Sequence, residues 1–300
     1  MSVQHFITLD DLSPEKLQDL IDRAIVLKNE TKRGAIFEPL KNKSLAMIFS
    51  KSSTRTRVSF EVGMRQLGGN SINLNPNDTQ IGRGEPIEDT ARVISSMTDG
   101  VMIRTDEHKK LTKFAEYSSV PVINGLTDDF HPCQLLADIQ TFQEQRGNIK
   151  GANIAWVGDG NNVCHSFMTA ARLFDFNLSI ATPAGFEPNS DVIAQNKNSI
   201  TLSTDPKAAV ENADVVVTDT WASMGQEDEK SSRLKAFDGF CVDDSLMSLA
   251  DKDALFMHCL PAYRGMEVSE SVIEGKQSVV FQEAENRLHA QKALLEFLLA

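Results

Sequence analysis

The sequence predicts an α/β protein of two domains, each a parallel β-sheet flanked by helices. Three observations carry that expectation. Short apolar runs alternate with longer helix-like segments along all 300 residues, the pattern of repeated βα units. The alternation comes in two series, joined by a helix-like stretch over 132–146. Polar and charged residues cluster just after the apolar runs, which is where open parallel sheets bind their ligands.

Taken in order, a helix over 14–30 is opened by Ser13-Pro14-Glu15, a cap followed by a proline where the missing N–H costs nothing. The run Ser44-Leu45-Ala46-Met47-Ile48-Phe49 reads as a buried strand. Strands are expected near 45–49, 70–74, 101–104 and 120–124, with helices near 55–67, 87–98 and 107–117 between them. Gly68-Gly69 close the first of those helices, and Pro86 and Pro132 each stand at a first helical position. The second series opens at Asn153-Ile154-Ala155-Trp156-Val157 and continues with strands near 178–182, 200–203, 214–218, 239–243 and 254–258. A last helix, Ala284 to Ala300, is expected to pack back on the first domain. The expected domains are therefore 1–147 with 284–300, and 148–283, with the active site in the cleft between them. The segment Asn75 to Glu85 is polar, rich in Gly and Asn, and long for a connection; such loops are functional or mobile.

Composition narrows the function classes. With 41% hydrophobic and 24% charged residues the chain reads as a globular protein. No apolar run approaches the roughly 18–20 residues of a membrane span. The start, Met1-Ser2-Val3-Gln4-His5-Phe6, lacks the basic-then-apolar plan of a signal peptide, so a cytoplasmic location is expected. A net charge of −12 argues against nucleic-acid and anionic-membrane partners. A small anionic substrate stays open, because a local cluster of arginines overrides the global field. Cys133, Cys164, Cys241 and Cys259 show no metal-like spacing and fit reduced thiols.

The most informative stretch is Ser52-Ser53-Thr54-Arg55-Thr56-Arg57, between a strand and a helix. Hydroxyls and guanidinium groups in a first helical turn suit a phosphate-like anion. Backbone N–H groups point outward there, the helix dipole favours negative charge by about 0.3–1 kcal/mol, and Arg adds a bidentate clamp. Ordinary capping explains one hydroxyl, not this whole set. The other strand ends extend the pattern. First-series strands lead to the Gln80 loop, to Arg104, and to His131-Pro132-Cys133-Gln134. Second-series strands lead to Asn161-Asn162, to Asp219 with Ser223-Met224-Gly225, and to His258-Cys259-Leu260-Pro261. Taken singly, Arg104 reads as a surface residue, His131 as a cap, and Cys259 and Met224 as core. Their joint placement at one end of the sheets argues for a site. The first series offers cations and donors, the second an acid, amides and a thiol. That layout suits an anionic substrate on one domain and an amine-bearing one on the other.

Gly158-Asp159-Gly160-Asn161-Asn162-Val163 imitates the dinucleotide fingerprint and supports a competing reading as an NAD-dependent dehydrogenase. Val163 replaces the third glycine, and the following strand ends Ser179-Ile180-Ala181-Thr182-Pro183 without the acid expected for a ribose. The turn reads better as one that presents Asn162.

Ser53-Thr54-Arg55-Thr56, His131-Pro132-x-Gln134 and His258-Cys259-Leu260-Pro261 resemble the signatures of the aspartate/ornithine carbamoyltransferases. Asp219-x-x-x-Ser223-Met224-Gly225 and the thiol of Cys259 resemble the ornithine branch, and the resemblance runs the whole length in order. It implies transfer of the carbamoyl group of carbamoyl phosphate to the side-chain amine of L-ornithine. L-citrulline and phosphate would form by direct attack through a tetrahedral intermediate, in arginine biosynthesis. By the same resemblance, Ser53, Thr54, Arg55, Thr56, Arg104, His131 and Gln134 hold carbamoyl phosphate, with Cys259, Leu260 and Arg287 completing the reaction centre. Arg55, Arg104, His131 and Cys259 are the catalytic candidates, and Asn162, Asp219, Ser223 and Met224 hold ornithine. The resemblance also implies that Gln80 reaches a neighbouring subunit's site, and with it a homotrimer or a multiple of trimers. No metal or organic cofactor is implied. The dehydrogenase, a carbamoyltransferase with another amine acceptor, and a non-catalytic binding protein are the alternatives.

Overall fold

Ser44–Phe49 (β1) shows how the alternation becomes a parallel sheet. Its four central residues are all buried, as a strand requires when helices cover both faces. The computed structural model describes residues 3–50, 53–75, 84–221 and 230–300. The chain divides into two compact units: Met1–Gln140 with Glu285–Ala300, and Thr141–Ala284.

The first unit carries α1 (Pro14–Lys32), α2 (Arg55–Gln66), β2 (Asn70–Leu74), α3 (Ile87–Ser95) and β3 (Gly100–Arg104). It continues through α4 (His108–Tyr117), β4 (Val122–Leu126) and the start of α5 (Pro132–Arg146). The strands are parallel in the order β2-β1-β3-β4. The chain leaves β1 toward β2 and then returns to place β3 on the other side. The loops after β1 and β3 therefore diverge, opening a crevice at their carboxyl ends. At the sheet's edge, β2 is only partly buried and correspondingly polar.

The second unit repeats this logic with β5 (Asn153–Val157), α6 (Asn162–Phe174), β6 (Asn177–Ala181), α7 (Ser190–Asn196) and β7 (Ile200–Ser203). It continues with α8 (Pro206–Val210), β8 (Val215–Thr218), α9 (Lys230–Ala236), α10 (Asp244–Met247), β9 (Leu255–His258) and α11 (Glu270–Ile273). Its parallel order is β7-β6-β5-β8-β9, which places the reversal between β5 and β8. The core includes Phe237, which meets Phe186, Trp221 and Phe240 at centroid distances of 4.9, 5.2 and 6.0 Å. Burying such a ring contributes about 1.5–3 kcal/mol, and here it fixes Trp221 two residues beyond Asp219. The final helix, α12 (Val280–Leu299), closes the chain.

Some sequence expectations need correction. The segment 239–243 is no strand: it joins the fold by a single bridge, Val242 to Val268. Phe240 and Val242 are buried, which accounts for the apolar run. Gly239 at φ 85° before it and the helix cap Asp243 after it leave no room for a ladder. Pro86 is the N-cap of α3 rather than its first helical residue, and the last helix begins at Val280 instead of Ala284. The compact units divide within α5, between Gln140 and Thr141, and within α12, between Ala284 and Glu285. Among the described residues, no helix is long and apolar enough to cross a membrane.

Candidate active site

In the first unit the site is built where β1 and β3 part. Thr54 is the N-cap of α2, yet its side chain makes no capping bond. The first-turn N–H groups therefore lack the side-chain oxygen that normally satisfies one of them. Ser53 and Arg55 are half-buried, Thr54 is exposed, and Thr56 is buried one step further along the turn. Arg104, at the end of β3, donates from Nη1 to Thr56 Oγ1 at 3.1 Å. Arg287, brought in by α12, donates from Nη2 to the same oxygen at 3.2 Å. A hydroxyl has two acceptor lone pairs and one donor hydrogen. With both lone pairs engaged by guanidinium groups, the Thr56 O–H is left as a donor, suited to an anion's oxygen.

Arg287 also donates from Nη1 to Gln134 Oε1 at 2.6 Å, and Gln134 donates from Nε2 to Asp138 Oδ1 at 2.7 Å. His131, just before α5, is almost fully buried. Burial, and then the charges of Arg287 and Arg104, hold its imidazole well below the ordinary value of 6.5. It is neutral at physiological pH.

In the second unit the corresponding loops carry acceptors. Asn161 caps α6: its Oδ1 accepts from the N–H groups of Val163 and Cys164 at 3.0 and 3.1 Å. Its Nδ2 donates across the reversal point to Asp219 Oδ2 at 2.8 Å. Asp219 Oδ1 accepts from Thr220 N–H at 2.7 Å and from Cys259 Sγ at 3.1 Å. Asp219, after β8, and Cys259, after β9, are thus brought together. Asn162 is the first residue of α6 and half-buried. Leu260 adopts a left-handed backbone at φ 55°, and its N–H donates to His258 Nδ1 at 2.9 Å. His258 Nε2 faces Glu267 Oε1 at 3.2 Å. Asp219, His258 and Cys259 bring potential metal-ligand atoms within 4.8 Å of one another. Both His258 nitrogens already have partners, so the trio does not fit a metal ion.

The thiols differ in the same direction as their surroundings. Burial pushes Cys133 up to about 12, Cys241 up to about 11, and Cys164 well above its usual range. Cys259 is partly exposed and engaged with a site carboxylate.

The turn after β5 is filled by protein. Gly160 N–H donates to Phe186 O at 2.9 Å, and a Cβ at this glycine would collide with the backbone of Phe186, Glu187 and Pro188. The close approach that a dinucleotide pyrophosphate needs is taken by the chain itself.

Gln80, Ser223 and Met224, with Ser52 and Gly225, lie outside the described residues. The strand-end pattern names Asn161 beside Asn162 but gives a role to Asn162 alone, and nothing in the sequence singles out Asp138. Asn161 stood at a readable N-cap position after Gly160, and Asp138 lies four residues after Gln134 on one helix face.

Two parallel-sheet α/β units, each gathering polar and charged side chains at its strand-order reversal, place the chain among the α/β enzymes. The chain belongs to the aspartate/ornithine carbamoyltransferase family: residues 4–144 match its carbamoyl-P binding domain and 150–298 its Asp/Orn binding domain. It is similar over its full length to the ornithine carbamoyltransferase of Hydrogenovibrio crunogenus, with 60% identity covering 100% of this chain and 99% of the relative. An anabolic ornithine carbamoyltransferase of Pseudomonas savastanoi pv. phaseolicola is 57% identical, covering 100% and 98%. The crystal structure of ornithine carbamoyltransferase from Burkholderia thailandensis superimposes with a TM-score of 0.93 at 49% identity, covering 99% of each chain.

Proposed function

We propose that this enzyme transfers the carbamoyl group of carbamoyl phosphate to the side-chain amine of L-ornithine, releasing L-citrulline and phosphate. The observation that carries the reading is the opposite polarity of the two reversal points. Arg104 and Arg287 converge on Thr56 in one unit, and Asp219 gathers Asn161 and Cys259 in the other. Carbamoyl phosphate is anionic and accepts hydrogen bonds. Ser53, Thr54, Arg55, Thr56, Arg104, Gln134 and Arg287 supply donors and positive charge for it. Neutral His131 can donate a hydrogen bond to the carbamoyl oxygen as charge develops there. Ornithine brings ammonium groups, for which Asp219 is the matching acid; the family resemblance adds Asn162, Ser223 and Met224 to the ornithine set. Cys259 and Leu260 complete the reaction centre on the ornithine side.

The attacking amine must be neutral. With a reference pKa near 10.4, presenting it at pH 7 costs about 4–5 kcal/mol. Phosphate leaves directly and can accept a proton, so no covalent enzyme intermediate is required. The relatives' names favour ornithine over aspartate as acceptor, and the anabolic relative favours a role in arginine biosynthesis. A homotrimer, with Gln80 contributed to a neighbouring subunit, and a cytoplasmic location belong to the same reading.

Phosphate release and carbamoylated product from carbamoyl phosphate, measured with L-ornithine, L-aspartate, putrescine and N-acetylornithine in turn, decide the matter. Turnover with L-ornithine well above the other acceptors is expected. Equal or better turnover of another amine would refute the acceptor, and no turnover with any would favour a binding protein.

A further inference from the structure

We propose that Asp138 is a positioning residue for the carbamoyl phosphate pocket, acting by fixing the side-chain amide of Gln134. The proposal rests on the reading that the first unit binds carbamoyl phosphate.

Gln134, Asp138, Arg287 and Thr56 are all buried, at 1, 3, 4 and 1% exposure, so each polar atom depends on protein partners. Gln134 and Asp138 stand one turn apart on α5. A guanidinium group only donates, so Gln134 must turn Oε1 toward Arg287 Nη1, 2.6 Å away. Its Nε2 is then directed at Asp138 Oδ1, 2.7 Å away. The carboxylate accepts and offers no competing donor. Turned over, the amide would set N–H groups against Arg287 and oxygen against oxygen at Asp138. Both ends of the amide are therefore specified, and Asp138 specifies one of them.

The order set at Asp138 passes to the pocket. Gln134 Oε1 holds one arm of Arg287, and the other arm meets Thr56 Oγ1 at 3.2 Å, where Arg104 also donates at 3.1 Å. One line of donors and acceptors thus runs from Asp138 through Gln134, Arg287 and Thr56 to Arg104. It ends on the hydroxyl whose hydrogen is left for an anion. An Asn at 138 can present either its oxygen or its NH₂ to Gln134. The amide is then fixed at its Arg287 end alone, and the acceptor it offers Arg287 is held less firmly.

A double-mutant cycle with Asp138→Asn and Gln134→Ala, read by calorimetric titration with carbamoyl phosphate, tests this. Asp138→Asn should weaken binding about tenfold in the native background and less than about twofold when Gln134 is already Ala. KM for L-ornithine should stay within about twofold. An equal loss in both backgrounds, or no loss in the native one, would overturn the positioning role. If Asp138→Asn does not fold, Asp138→Ser carries the same expectation. Failure of both variants to fold would assign Asp138 to stability instead, against the proposal. Native protein that does not bind carbamoyl phosphate, or Gln134→Ala that binds it normally, would refute the underlying reading and not this step alone.

Discussion

The two units use one topological device with opposite chemistry. Each parallel sheet reverses its strand order once, between β1 and β3 in the first unit and between β5 and β8 in the second. In each, a residue at or just past the end of one strand bonds a residue past the end of its neighbour across the gap: Arg104 to Thr56, and Asn161 to Asp219. The first pair points guanidinium donors at a hydroxyl, and the second points an amide donor at a carboxylate. The helix starts differ as well. Asn161 caps α6 with two backbone bonds, whereas Thr54 leaves α2 without a side-chain cap. The fold supplies a place for a ligand, and the residue types placed there choose its charge. Among the described residues, a helix start whose N-cap side chain makes no capping bond suits a ligand that completes it.

The contrast can be broken most forcefully by kinetics. Arg104→Ala should lower kcat/KM for carbamoyl phosphate by about 10²–10³. Asp219→Asn should raise KM for ornithine by about tenfold or more, through loss of a charge-assisted contact. Losses falling on the same substrate in both variants would erase the distinction between the units. A smaller effect should appear in stability. Asn161→Ala removes a working cap and should cost about 1–2 kcal/mol in denaturant unfolding. Thr54→Ala should cost less than about 0.5 kcal/mol, since no cap bond is lost. Similar costs at both positions would show that the two helix starts do not differ.

The smallest effect is a pH dependence confined to the first unit. Burial and two arginines depress the folded-state pKa of His131 below its ordinary 6.5. Between those two values the unfolded chain binds more protons, so stability is full above the ordinary value and falls as pH drops below it. His131→Asn should flatten that acid arm, seen as a smaller change in Tm between about pH 7.5 and pH 5. An unchanged acid arm would mean that His131 does not titrate in this way.

Much of this was legible in the chain, for physical reasons that also mark the limits. Fully buried parallel strands leave continuous apolar runs, so β1, β3, β5, β8 and β9 could be read from composition. The same apolarity misled at 239–243, because burial alone does not distinguish a strand from a packed loop. Residues that follow strands, such as Arg104 and Asp219, were found because chain position fixes which end of the sheet they occupy. Arg287 was not visible in that way. It comes from a helix far along the chain, and only the family resemblance pointed to it. Asn161 was passed over for its neighbour Asn162, because one residue at a helix start decides whether a side chain caps or faces outward. Asp138 was hidden in an otherwise apolar helix stretch, and its meaning depends on the partners of Gln134.

Calorimetric titration of carbamoyl phosphate into the native enzyme, Arg55→Ala and Asp219→Asn tests the division of labour most directly. The account predicts that Arg55→Ala abolishes detectable binding while circular dichroism shows the fold intact, and that Asp219→Asn binds within about twofold of native. Unchanged binding by Arg55→Ala, or equal loss in the two variants, would contradict it.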